Sequence, residues 1–100
     1  KQLKKYNEKD IKAFGRTYAN DVEIYNYPNT LVMEGRSALR NHYISLFENT
    51  PDLYAEVENR IILGNKIIDK EKVKMNGELV YVIAIYEINN NLIQSVTFIQ

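Results

Sequence analysis

The sequence predicts an α+β domain in which a curved antiparallel sheet packs against about three helices. Three observations carry that prediction. Apolar residues recur at helical spacing along much of the first half. Turn signals at Gly64-Asn65, Asn76-Gly77 and Asn89-Asn90-Asn91 divide the second half into four strands. The 100 residues, 45% apolar and 26% charged, suffice for one core and leave no room for a second.

Leu3, Tyr6, Ile11, Phe14 and Tyr18 mark helices running through Tyr18-Ala19. Asn7 is placed to cap the second of them, with Asp10 three positions on. Lys1 falls inside an element, so the first helix is expected to be truncated. Asp21 to Tyr27 alternates as a strand, with Val22, Ile24 and Asn26 on one side, and Pro28-Asn29 ends it. Leu31-Val32-Met33 returns towards Gly35. Ser37 is the expected cap of a helix from Ala38 to Asn49, which carries Leu39, Tyr43, Leu46 and Phe47 on one stripe.

Tyr54 to Leu63 and Lys66 to Met75 flank Gly64-Asn65. A two-residue turn sets Glu58 against Glu71, a repulsive pair. A three-residue turn instead pairs Val57 with Val73, Glu56 with Lys74 and Glu58 with Lys72, and is preferred. It places Glu56, Glu58, Arg60, Lys70, Lys72 and Lys74 on the outer face. Val57, Asn59, Ile61, Leu63, Ile67, Asp69, Glu71, Val73 and Met75 fall inside. Asn76-Gly77 then pairs Asp69 with Ala84, Glu71 with Val82 and Ile67 with Tyr86. Val96 and Phe98 join that inner face. Tyr81, Ile83 and Ile85 fall on the opposite face, which is too apolar for water, and a second copy of the chain is the expected cover.

Lys plus Arg and Asp plus Glu both number 13, which removes the basic footprint of a nucleic-acid or anionic-membrane binder. No apolar run reaches the length of a membrane span. Without cysteine there is no disulfide framework and no thiolate chemistry. One histidine with two strand carboxylates falls short of a metal site, and no phosphate-cradling glycine loop is present, so no metal or cofactor is expected. A cytoplasmic setting is expected, and the abundant Lys, Asn and Ile suit a bacterial source of low GC content.

Several stretches together resemble the SnoaL-like branch of the nuclear transport factor 2-like superfamily. They are Tyr6-Asn7 through Asp10-Ile11, Tyr18-Ala19-Asn20-Asp21-Val22, Gly35-Arg36, Asn59-Arg60-Ile61 with Gly64, Ile68-Asp69-Lys70-Glu71 and the closing Ile88 to Ile99 hairpin. The resemblance covers nearly the whole chain and implies the cone-shaped fold of steroid Δ-isomerases and polyketide cyclases, commonly homodimeric through the sheet. Carried over by position, the isomerase groups become Asn26, Gln2 and Ala84, and the cyclase acid/base also falls near Ala84. An amide and a methyl group cannot shuttle a proton, so those specific activities are not expected. The superfamily's epoxide hydrolases use an Asp–Arg–Asp set, for which this reading finds two inner carboxylates and no inner arginine.

Asn59, Asp69 and Glu71 remain as the candidate catalytic residues. Positions 69 and 71 share a face about 6.7 Å apart, and carboxylates beside apolar neighbours hold their protons more tightly. The same groups equally suit a structural network satisfying backbone or helix ends. Phe14, Tyr18, Asn26, Tyr43, Phe47, Val82, Ala84, Tyr86, Val96 and Phe98 form the expected ligand-binding lining, with Tyr54 a further tyrosine candidate. Met33, Phe47 and Phe98 are bulky enough to fill the cone instead. His42 reads as a surface or half-buried side chain and Arg36 as decoration of a helix start. The function expected is binding of a small apolar or aromatic molecule, with proton-transfer chemistry of the isomerase, cyclase or dehydratase type. The alternatives are a non-catalytic dimerisation or protein-association module, and a degenerate enzyme that keeps the pocket alone.

Overall fold

The computed structural model describes Asn7 and residues 10–100. The expected first helix, with Leu3 and Tyr6, and the carried-over position Gln2 lie outside the described residues. Helix α1 is short, Ile11–Arg16, and Asp10 rather than Asn7 caps it by accepting the Ala13 N–H at 3.1 Å. Asn7 is otherwise engaged. Its amide donates to the Ala55 carbonyl and accepts the Ala55 N–H, both at 2.8 Å, as a neighbouring strand does.

The helix stops at Thr17, and strand β1 (Tyr18–Asn26) begins three residues earlier than the periodicity predicts. Tyr18 pairs with Ile93, whose N–H donates to the Thr17 carbonyl at 2.9 Å, so sheet pairing overrides the helical spacing of Tyr18. Strand β2 (Thr30–Glu34) returns to helix α2 (Arg36–Asn49). Gly35, not Ser37, caps α2. It sits at φ 93°, where its N–H donates to the Val22 carbonyl at 2.7 Å and its carbonyl accepts the Leu39 N–H at 3.1 Å. Arg36 does more than decorate the start, because its guanidinium clamps the Tyr18 carbonyl at 2.6 and 3.2 Å.

Strands β3 (Tyr54–Leu63), β4 (Lys66–Met75), β5 (Glu78–Asn89) and β6 (Leu92–Ile99) complete one six-stranded sheet in the order β2-β1-β6-β5-β4-β3. The sheet is mixed rather than antiparallel, because β1 and β6 run parallel. Nearly the whole chain separates those two strands, so no hairpin dictates their direction. Two helices are described against the three expected.

The core forms where the sheet curls around the helices. Phe14, Tyr18, Val22, Ile24, Leu39, Ala84, Tyr86, Ile93 and Val96 make one buried cluster, and Phe47, Leu53, Ala55 and Val73 a second. Tyr43 of α2 packs against both, with its ring 4.9 Å from Phe14 and 5.9 Å from Phe47. No described helix is long and apolar enough to cross a membrane.

The β4–β5 register is the expected one, with Asp69 opposite Ala84, Glu71 opposite Val82 and Ile67 opposite Tyr86. The β3–β4 register is not. Gly64-Asn65 is a two-residue turn, with Leu63 opposite Lys66 and Arg60 opposite Asp69. A bulge between Val57 and Asn59 then slips the pairing, so that Val57 faces Glu71 and Glu56 faces Lys72. The clash of Glu58 with Glu71 is thus avoided by an extra residue in the strand and not by a longer turn. Beyond the bulge the faces exchange. Arg60 turns in, while Asn59, Ile61 and Leu63 turn out, the last two 64% and 80% exposed. Lys70–Glu58 and Lys72–Glu56 pairs at 3.8 Å line the outer face.

Candidate functional site

The concave face of the sheet and α2 enclose a cavity of about 370 Å³. Of the expected lining, Tyr18, Asn26, Tyr43, Val82, Tyr86 and Phe98 do line it. Phe14, Phe47, Ala84 and Val96 do not line it; they are core residues, 0–7% exposed, and Phe14 and Phe47 pack behind the lining ring of Tyr43. Tyr54 lies outside, 54% exposed. Met33 and Phe98 border the cavity without filling it.

The candidate catalytic trio does not stay together. Asn59 is exposed on the outer face opposite Lys70, because the two-residue turn sets it one position out of line with Glu71. Asp69 is 1% exposed and held by Arg60, whose Nε and Nη2 donate to the two carboxylate oxygens at 2.7 and 2.8 Å. Arg60, missed because the three-residue turn sends it outwards, is therefore an inner-face arginine, although Ala84 still leaves a methyl group where the epoxide-hydrolase pattern needs an acid. The Asp69 association draws the Arg60 ionisation further up.

Glu71 alone of the three reaches the cavity. It is 6% exposed and accepts a hydrogen bond from the Tyr86 hydroxyl at 3.1 Å. Burial pushes its ionisation up from the ordinary 4.5 to about 7, opposed by the Tyr86 hydrogen bond, reinforced by Asp69 and offset by Arg60. Burial also raises Tyr43 to about 12 and Tyr86 well above 10, so both hydroxyls remain protonated donors at neutral pH. The arrangement holds an acid that exchanges its proton near neutrality, a phenol bonded to it and an apolar wall.

His42 borders the same cavity from α2, edge-on to Tyr43 at 4.9 Å. Ile24, Leu46, Val73 and Met75 also line it, and the inward alternation of their strands and the stripe of α2 were the signals for them. Among the described residues no group of three His, Cys, Asp or Glu side chains is placed to hold a metal ion.

Solved structures share this architecture. An uncharacterised cystatin-fold protein from Novosphingobium aromaticivorans superposes with a TM-score of 0.89 at 22% identity, over 99% of this chain and 92% of that one. An NTF2-like protein of unknown function from Cytophaga hutchinsonii gives 0.80 at 16% identity, over 97% and 80%. A hypothetical protein from Catenulispora acidiphila with a ketosteroid isomerase-like fold, in complex with trimethylamine, gives 0.79 at 12% identity, over 96% and 78%. These likenesses establish the nuclear transport factor 2-like, cystatin-type fold and nothing finer. No curated protein matches the chain. The family model described as the SnoaL-like domain matches residues 2–96, spanning every strand from β1 to β5 and most of β6, and with the cone built from those strands the chain belongs to the SnoaL-like domain family.

Proposed function

We propose that the chain binds a small apolar or aromatic molecule in the cone and moves a proton through Glu71, in an isomerase-, cyclase- or dehydratase-type step. The observation that carries this reading is a buried carboxyl group, titrating at about 7, in the wall of an otherwise largely apolar cavity of about 370 Å³. In its carboxylate form Glu71 takes a proton from an acidified C–H bond of the ligand and returns it at another position. The carboxyl group thus ends as it began, while the Tyr86 hydroxyl hydrogen-bonds to it. The trimethylamine complex of a fold relative supports the use of this fold for small ligands.

A thermal-shift panel of steroids, polycyclic aromatics and terpenoids tests the reading, with Glu71→Gln in parallel. A ligand at a hundred times its dissociation constant adds about 2.7 kcal/mol, several degrees at this size. The variant is expected to retain binding of these uncharged compounds and to lose turnover of any that the wild type converts. A panel with no stabilising compound, or turnover that survives in Glu71→Gln, removes the proposal.

The homodimer through Tyr81, Ile83 and Ile85 is part of the same proposal. Its support is the outer face itself, where Tyr81 is 54% and Leu79 58% exposed beside the half-buried Ile83 and Ile85. Ile83→Lys is expected to convert a dimer to a monomer in sedimentation equilibrium. If the wild type sediments as a monomer, the second reading, a module that docks on another protein, gains this face.

A further inference from the structure

The cone's charge is unbalanced in one direction. Arg60 is engaged by both oxygens of Asp69, which leaves that pair neutral as a unit. Among the described residues Glu71, two residues along β4, has no salt bridge, and its one side-chain hydrogen-bond donor is the uncharged Tyr86 hydroxyl. Among the described residues lining the cavity there is no lysine or arginine, and Glu71 is the only carboxylate there. The cavity that Glu71 enters is rich in aromatic rings, with Tyr18, Tyr43, Tyr86 and Phe98 around one space and Tyr86 bonded to Glu71 itself. A buried carboxylate beside aromatic rings is the environment that receives an alkylammonium ion. The charge meets the carboxylate, and the methyl groups meet π-faces that attract cations.

We infer that the cone selects a small apolar cation, a tertiary or quaternary amine, and seats its ammonium group against Glu71 among the tyrosines. The inference rests on the reading of the cone as a ligand site and adds the chemical class of the ligand. Anionic ligands are disfavoured at the same place, since the unpaired carboxylate repels them. Among the described residues, the groups that act on Glu71 are Tyr86 from β5, Asp69 on its own strand, Arg60 from β3 and Tyr43 from α2, and none of them supplies a free cation.

Phenyltrimethylammonium and tert-butylbenzene differ only in a charged nitrogen in place of a carbon, and they test the inference directly. Binding of each is measured at about pH 8.5, above the Glu71 transition near 7, to wild type and to Glu71→Gln. The wild type is expected to prefer the ammonium probe by about tenfold or more, and Glu71→Gln to lose that preference. Equal or better binding of tert-butylbenzene to the wild type overturns charge selection while leaving the cone as an apolar ligand site. A preference that persists in Glu71→Gln overturns the assignment to Glu71. If neither probe binds either protein, the cone fails as the site and both readings fall together.

Discussion

Glu71→Gln is expected to stabilise the protein by about 3 kcal/mol at pH 8 and by almost nothing at pH 4. The folded state holds the Glu71 proton up to about 7, against an ordinary 4.5, because the ionised form loses water that the Tyr86 hydrogen bond only partly replaces. Below the ordinary value the carboxyl is protonated whether the chain is folded or not, so no penalty exists there. As pH rises from 4.5 to 7 the unfolded chain releases the proton first, and folding becomes progressively less favourable. Above 7 both states are ionised and the full penalty remains. The amide cannot ionise, yet its oxygen still accepts from Tyr86. Denaturant unfolding of wild type and variant at the two pH values separates the cases, because every other titrating group cancels in the difference. An equal effect at both pH values would show that Glu71 is ionised in an environment resembling water.

Removing Arg60 is expected to have an effect of similar size and opposite sign. Asp69 is buried with its two oxygens on that guanidinium, so Arg60→Met leaves a carboxylate facing Ala84 and the inner strands without its donors. Breaking such a pair from one side costs about 3 kcal/mol, the lower end of the range because the Arg60 side chain is itself 48% exposed. Replacing both partners, Arg60→Met with Asp69→Met, is expected to recover most of the loss, since an apolar pair needs no donors. Urea midpoints of the two single variants and the double variant read out the coupling. Strict additivity would mean that the pair contributes nothing beyond its separate members.

The contrast between β3 and β5 shows what the sequence made legible. Asn76-Gly77 has positive φ at both positions, 53° and 77°, as a tight hairpin demands. That local chemistry alone sets Asp69 and Glu71 on the inner face, so the acid in the cavity was readable residue by residue. Across Gly64-Asn65 the turn was equally tight, with Gly64 at φ 59°. The repulsion of Glu58 and Glu71 argued against it only on the assumption of an unbroken ladder. A bulge leaves no strong mark in composition, and an unbroken ladder puts Arg60 and Asn59 on each other's faces. Tyr18 fits a helical spacing and a strand alternation alike, and only its pairing with Ile93, far along the chain, decides between them. The parallel β1–β6 contact is of the same kind, a long-range choice with no local signature.

The bulge in β3 has a consequence for strand length. The inward residues Ala55, Val57 and Arg60 are spaced by two and then three positions, so the strand changes parity once, at Glu58. Deleting Glu58 restores an even ladder in which the same three side chains still point inwards. Deleting any one residue from Ile61 to Leu63 instead changes the count between Arg60 and the turn. That would force either the turn to lengthen or Arg60 to swing out to water. β3 thus has one position where a single-residue gap is neutral to the interior and, a few residues away, a stretch where the same gap removes its only arginine.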